Sequence, residues 1–190
     1  MGNALVKGGV LGAIVLFVWG FVSHAVLSWH NVNLQRFANE GAVAQALSAN
    51  APESGIYASP NPNPPPGVAS ADWEKTVEAQ MKAGPLVFAV FNRQGFEGIT
   101  KALVIQYLIL LVGNLLVTGL VLKTRGLTFG GRVGFVLMAA LTAGILIHLP
   151  YWNWFGFPLK YTMVQLADLA IGGVLSGIVI AWATKPVGAP

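Results

Sequence analysis

Residues 159–184 read LKYTMVQLADLAIGGVLSGIVIAWAT, and Asp168 is the one acid among them. A hydrocarbon core about 30 Å thick is crossed by roughly 20 helical residues, so this run is long enough to span one. A carboxylate at that depth is costly. Such groups are paired, face the protein interior and mark functional sites more often than not. The other six acids, Glu40, Glu53, Asp72, Glu74, Glu78 and Glu97, all lie in one polar stretch, 31–99.

Three further apolar runs flank that stretch: 4–28, 100–122 and 133–149. The third is short and is expected to rely on tilt or local thinning of the bilayer. Hydrophobic residues make up 55% of the 190, and charged residues 9% against the roughly 25% of soluble domains. The expected fold is therefore an all-α membrane protein, a four-transmembrane-helix bundle with a small mixed α/β extracytoplasmic cap. Lys7, the apolar core after it and Ser23-His24-Ala25 also suit a signal peptide with a cleavage site. The apolar stretch is long for one, and we read it as a retained helix.

Charge sets the expected orientation. Lys7, then Lys123, Arg125 and Arg132, then Lys185 occupy segments without acids. The excess of basic residues on the cytoplasmic side places both termini inside and 31–99 outside. The scattered cations give no patch for nucleic acid. With no cysteine, disulfides, thiolate metal sites and cysteine nucleophiles are excluded.

Gly8-x-x-x-Gly12, Ala140-x-x-x-Gly144 and Gly173-x-x-x-Gly177 let helix backbones approach closely, which favours a compact internal bundle over a dimerisation face. In the cap, Asn39 suits the N-cap of a helix to about Ser48, and Ser70 that of a second to about Lys82. Residues 55–59 (GIYAS) and 86–91 (LVFAVF) have strand composition, and 60–66 (PNPNPPP) is an extended polyproline-type stretch. Residues 149–158 form an aromatic connection at the outer interface, with Trp152 and Trp154, that turns tightly at Pro150.

His30, Lys101 and Tyr161 serve as markers of the outer interface. His24, Gln106 and Asp168 then lie about 9, 8 and 10 Å below it. Gln165 shares the face of Asp168, three residues away. His24, Gln106, Gln165 and Asp168 thus form the expected intramembrane polar cluster, read as a hydrogen-bonded lock or as a proton-accepting pair. Trp29, His30 and His148 belong with Trp152 and Trp154 at the outer interface.

No cofactor and no metal is expected. Haem b between His24 and His148 requires matched depths, and theirs differ by about one helical turn. Zinc on His24, His148 and Asp168 has suitable ligand types but no supporting spacing. A lipid or quinone against the aromatic belt is a minor option. No hydrolase, metalloprotease or phosphate-loop motif is present, so no catalytic residue is assigned. Ser23 adjoins His24, but adjacent helix positions point about 100° apart.

Trp29-His30-Asn31, residues 51–57 (APESGIY) with Pro60, and residues 148–154 (HLPYWNW) resemble a family of small bacterial four-helix inner-membrane proteins of no assigned function. The resemblance covers most of the chain. It implies the bacterial inner membrane and this topology, and carries over no functional residue. The functional expectation, reached by elimination, is a non-catalytic accessory or structural subunit of a larger membrane assembly, an energy-transducing complex being one candidate. Its partners are then the lipid bilayer and other integral membrane subunits or further copies of the chain. The alternatives are an oligomeric transporter or proton channel using the His24/Asp168 level, and a haem- or quinone-binding electron-transfer protein. The absence of inverted repeats or broken helices counts against a transporter.

Overall fold

The computed structural model describes residues 2–124 and 126–184. Arg125 and Lys185, two of the cations behind the expected orientation, lie outside the described residues. Six α-helices and one two-stranded sheet are found among those described: α1 (Gly2–Phe21), α2 (Glu40–Asn50), β1 (Gly55–Ser59), α3 (Ser70–Ala83), β2 (Val87–Phe91), α4 (Ile99–Lys123), α5 (Phe129–Phe155) and α6 (Leu159–Ala183). Four helical stretches, Gly2–Val26, α4, α5 and α6, are long and apolar enough to cross a membrane. The chain divides into two compact units.

The first unit takes in α1, α4, α6 and most of α5. Its helices meet where side chains are smallest. A Cβ added to Gly8 would lie 2.6 Å from Thr118 Cγ2, and Gly9 and Gly12 press equally closely on Leu115 and Asn114 of α4. A Cβ on Gly173 would meet Ala140 Cβ at 3.0 Å and Leu137 Cα at 3.3 Å. One on Gly177 would meet Val133 Cα at 3.2 Å, and one on Gly144 would meet Leu169 Cδ1 at 2.6 Å. All three small-residue pairs therefore face neighbours within the chain, so dispersion contacts between closely approached backbones hold the unit together. Val121, Val136 and Ile180 form its apolar centre, with Val117 and Phe135 packed against them. Arg132, in the first turn of α5, donates from Nη1 to the Thr184 carbonyl at 2.8 Å and so satisfies an end carbonyl of α6.

Two helices depart from the sequence expectation. The third apolar run is a helix over Phe129–Phe155, not a short span over 133–149 that turns at Pro150. At its start the Thr128 hydroxyl accepts from Gly131 N–H at 3.1 Å, a cap that draws two glycines and Arg132 into the first turn. At Pro150 one backbone donor is lost, yet the helix runs on to Phe155. It stops at Gly156, whose φ of +69° is the left-handed conformation open to glycine, and Phe157 N–H donates to the Tyr151 carbonyl at 3.3 Å. The first run is α-helical only to Phe21. A π turn over Val22–Val26 follows, in which Leu27 N–H reaches back to Val22 O at 2.9 Å.

The second unit comprises Gln35–Phe96 and Asn153–Gly156. Asn39 Oδ1 accepts from Ala42 N–H at 2.9 Å and caps α2. Helix α3 starts at Ser70 itself, with Ala69 in the capping position and no side-chain cap, contrary to the capping role expected of Ser70. Strands β1 and β2 pair antiparallel, from Gly55↔Phe91 to Ser59↔Val87. A two-stranded ribbon is marginal alone. Here Phe88 packs against Phe155 at 4.4 Å between ring centroids, and Arg93 Nη1 donates to the Ala51 carbonyl at 2.6 Å.

Candidate functional site

The π turn builds the site. An α-helix continued to His30 would carry that residue about 10 Å along the axis from Ser23, beyond contact. The π turn ends the helix instead, Leu27 is extended, and a turn closed by Asn31 N–H to Ser28 O (3.1 Å) folds Trp29 and His30 back. Such π insertions often mark functional positions. The Trp29 ring meets Trp19 of α1 edge-on, with centroids 6.2 Å apart.

Ser23, with 0% exposure, is the centre. Its hydroxyl donates to Asp168 Oδ1 of α6 at 2.6 Å. Trp29 Nε1–H donates to Ser23 Oγ at 3.0 Å and to the Ser23 carbonyl at 3.1 Å. His30 Nε2 lies 2.9 Å from the same Oγ and 4.0 Å from Asp168 Oδ1. A hydroxyl has one proton and two lone pairs. With its proton given to the carboxylate and one lone pair taken by indole N–H, Ser23 can only accept from His30. His30 therefore carries its proton on Nε2. Burial lowers the pKa of His30, as does the neighbouring His24 ring, and the Asp168 carboxylate opposes both.

His24 completes the group from the outside. It is exposed, its ring stacks on His30 (3.9 Å between centroids, 12° between planes), and its Nδ1 is 3.1 Å from the Gly20 carbonyl. A carbonyl only accepts, so Nδ1 holds the proton and Nε2 keeps its lone pair. His24, His30 and Asp168 each offer a ligand atom, and these three atoms lie within 4.8 Å of one another.

The structure thus brings His24 and Asp168 into one cluster. It puts His30, expected as an interface marker, between them, and Ser23 beneath. Gln106 is exposed and Gln165 half-buried; among the described residues neither side chain makes a hydrogen bond. His148 is half-buried on α5, outside the cluster, and Trp152 and Trp154 are exposed. The sequence offers one hint of the Ser23–His30 contact. Trp29-His30-Asn31 cannot prolong an apolar span, so the chain has to turn there. Deeper in the unit, Asn114, Thr118 and Ser176 are buried. Asn114 Nδ2 donates to the Leu110 carbonyl at 2.8 Å, which spends it locally.

Serine, histidine and aspartate together suggest a nucleophilic triad, but their wiring differs. In a triad the histidine takes the serine proton and the carboxylate orients the histidine. Here the carboxylate binds the serine directly, and the hydroxyl is fully buried with every bonding position filled. No substrate carbonyl can approach it. The arrangement joins α1 to α6 and sets the exposed His24 beside the buried His30 and the half-buried Asp168. Comparison with protein-family models, with curated proteins and with solved structures finds no match to the chain.

Proposed function

We propose that this chain is a non-catalytic, multi-pass membrane subunit that docks onto a partner membrane protein through the outward face of α4. Gln106 is the observation that carries the reading. With Ile109, Gly113, Leu116 and Leu120 it lies at three- and four-residue spacing on one exposed face of α4, opposite the buried Asn114, Thr118 and Val121. A Cβ on Gly113 would have nothing within 4 Å, so that position can admit another helix. Gln106 sits about 8 Å along the helix from Lys101, and an amide left unpaired in hydrocarbon costs about 4–8 kcal/mol in the extreme of transfer to alkane. A polar group on a partner helix relieves that cost.

The resemblance to small bacterial inner-membrane proteins and the acid-free basic segments support an inner-membrane location, with both termini cytoplasmic and 31–99 outside. The Ser23–Asp168 group fits this role as a lock that presents the α4 face in one orientation.

A photoreactive amino acid at position 106, irradiated in native membranes, tests the reading against the same label at Met138, 61% exposed on α5. An adduct of fixed mass with another membrane protein from position 106, absent from 138, is the expected result. An adduct at twice the chain mass favours the oligomeric alternative. Labelling that is absent, or equal at both positions, overturns the docking face.

A further inference from the structure

The hydrogen-bonded lock needs Ser23, Trp29, His30 and Asp168. It does not need His24. Yet a second imidazole is held against the first, with its Nδ1 proton committed to the Gly20 carbonyl and its Nε2 lone pair free. A ring whose far N–H is given to a carbonyl is the usual arrangement of a metal-ligating histidine, because that bond sets the tautomer and leaves the other nitrogen to the ion. Asp168 is likewise steadied by the Ser23 hydroxyl.

We propose that His24, His30 and Asp168 form a binding site for one divalent first-row transition ion, such as zinc or iron(II). Two imidazoles and a carboxylate suit these borderline ions better than magnesium or calcium, which prefer oxygen. Around a tetrahedral ion at about 2.0–2.2 Å, ligand atoms stand about 3.4 Å apart. The three atoms here lie within 4.8 Å, so the site closes by a little over an ångström at most. The stacked rings identify the part that moves. Planes only 12° apart cannot both contain the same ion while stacked, so one ring has to turn. His24 is free to do so: it is exposed and held by a single hydrogen bond, whereas His30 is 9% exposed and gives its Nε2–H to Ser23, so that His30 binds the ion through the Nδ1 lone pair this tautomer leaves. Three protein ligands leave a fourth position open to water or to a donor from outside. The inference is independent of the docking face on α4.

The test uses the full chain in detergent, stripped with a chelator and titrated with cobalt(II), followed by its visible d–d absorption, and with zinc by calorimetry. One ion per chain is expected. His24→Gln is expected to weaken binding by roughly tenfold or more, the loss that even an outer-sphere partner brings, while the metal-free protein melts at the wild-type temperature. His148→Gln is expected to bind as wild type does. Wild-type protein that takes up no stoichiometric ion, or His24→Gln with undiminished affinity, overturns the site. Because His24 lies outside the lock, this variant stays informative even where Asp168→Asn fails to fold.

Discussion

Replacing Ser23 by alanine removes one hydroxyl that serves three partners: Asp168 at 2.6 Å, His30 at 2.9 Å and Trp29 at 3.0 Å. Trp29 keeps its second acceptor, the Ser23 carbonyl, at 3.1 Å. Asp168 Oδ1 and His30 Nε2 lose their partner, and at 4.0 Å they stand too far apart to bond directly. A buried polar group left without a partner costs about 1–3 kcal/mol, and a small shift that brings the two together recovers part of it. The expected net loss is about 2 kcal/mol, roughly a thirtyfold change in the unfolding equilibrium. An ordinary interhelical hydrogen bond in a membrane protein contributes only about 0.6 kcal/mol, so the two descriptions separate. Reversible unfolding in mixed micelles, followed by far-ultraviolet circular dichroism, measures the difference. Combining Ser23→Ala with Asp168→Asn should give a loss smaller than the sum of the two by about 1 kcal/mol, since both break one network. A Ser23→Ala loss of about 0.6 kcal/mol or less, or strict additivity with Asp168→Asn, would refute the idea of a shared buried network.

The remaining predictions concern packing, capping and charge. Gly8→Val should force α1 and α4 apart at Thr118 and cost about 1–3 kcal/mol, whereas Gly113→Ala, with open space around it, should be neutral or stabilising by up to about 1 kcal/mol in the same unfolding assay. Arg132→Ala leaves the Thr184 carbonyl without its donor; protection of the last turn of α6 in hydrogen exchange should fall, with a stability loss of about 1 kcal/mol. The hydrogen bond and charge of Lys82, one turn along α3, lower the pKa of Glu78. A carboxylate depressed in the folded state stabilises above its unfolded pKa and loses that contribution as pH falls through the folded one. Carbon-13 NMR should therefore place the Glu78 transition below the ordinary glutamate range, and Lys82→Met should move it up.

The meeting of His24 and Asp168 was legible in this sequence and azimuth was not. Counting residues from the polar ends put His24, Gln106 and Asp168 on one level. Helix α4 is apolar on nearly all sides, so nothing in its pattern says which way Gln106 points; the contrast that reveals the inner face of a soluble helix is absent here. Glycine spacing did better, because a backbone that approaches within a Cβ's reach leaves a residue type behind it: Gly8, Gly12, Gly173 and Gly177 all mark contacts within the chain. The Ser23–His30 contact was hidden by a backbone irregularity. One π turn changes which residues meet, and no periodicity announces it. Pro150 misled in the opposite sense, since a residue that commonly ends helices is carried through in α5.

Asp168 follows its hydrogen-bonding partner Ser23 by 145 positions. At roughly 5–20 residues per second, a ribosome needs about 7–30 s to cover that interval. On the membrane reading proposed above, α1 enters the bilayer long before its carboxylate acceptor has been made. Until α6 arrives, the serine hydroxyl and the two histidines at the outer end of α1 must be sheltered by water, by lipid headgroups or by the insertion machinery. Helix α6, made later, is thus the one that finishes α1, and a nascent chain stopped before residue 168 should lack a settled outer end to α1.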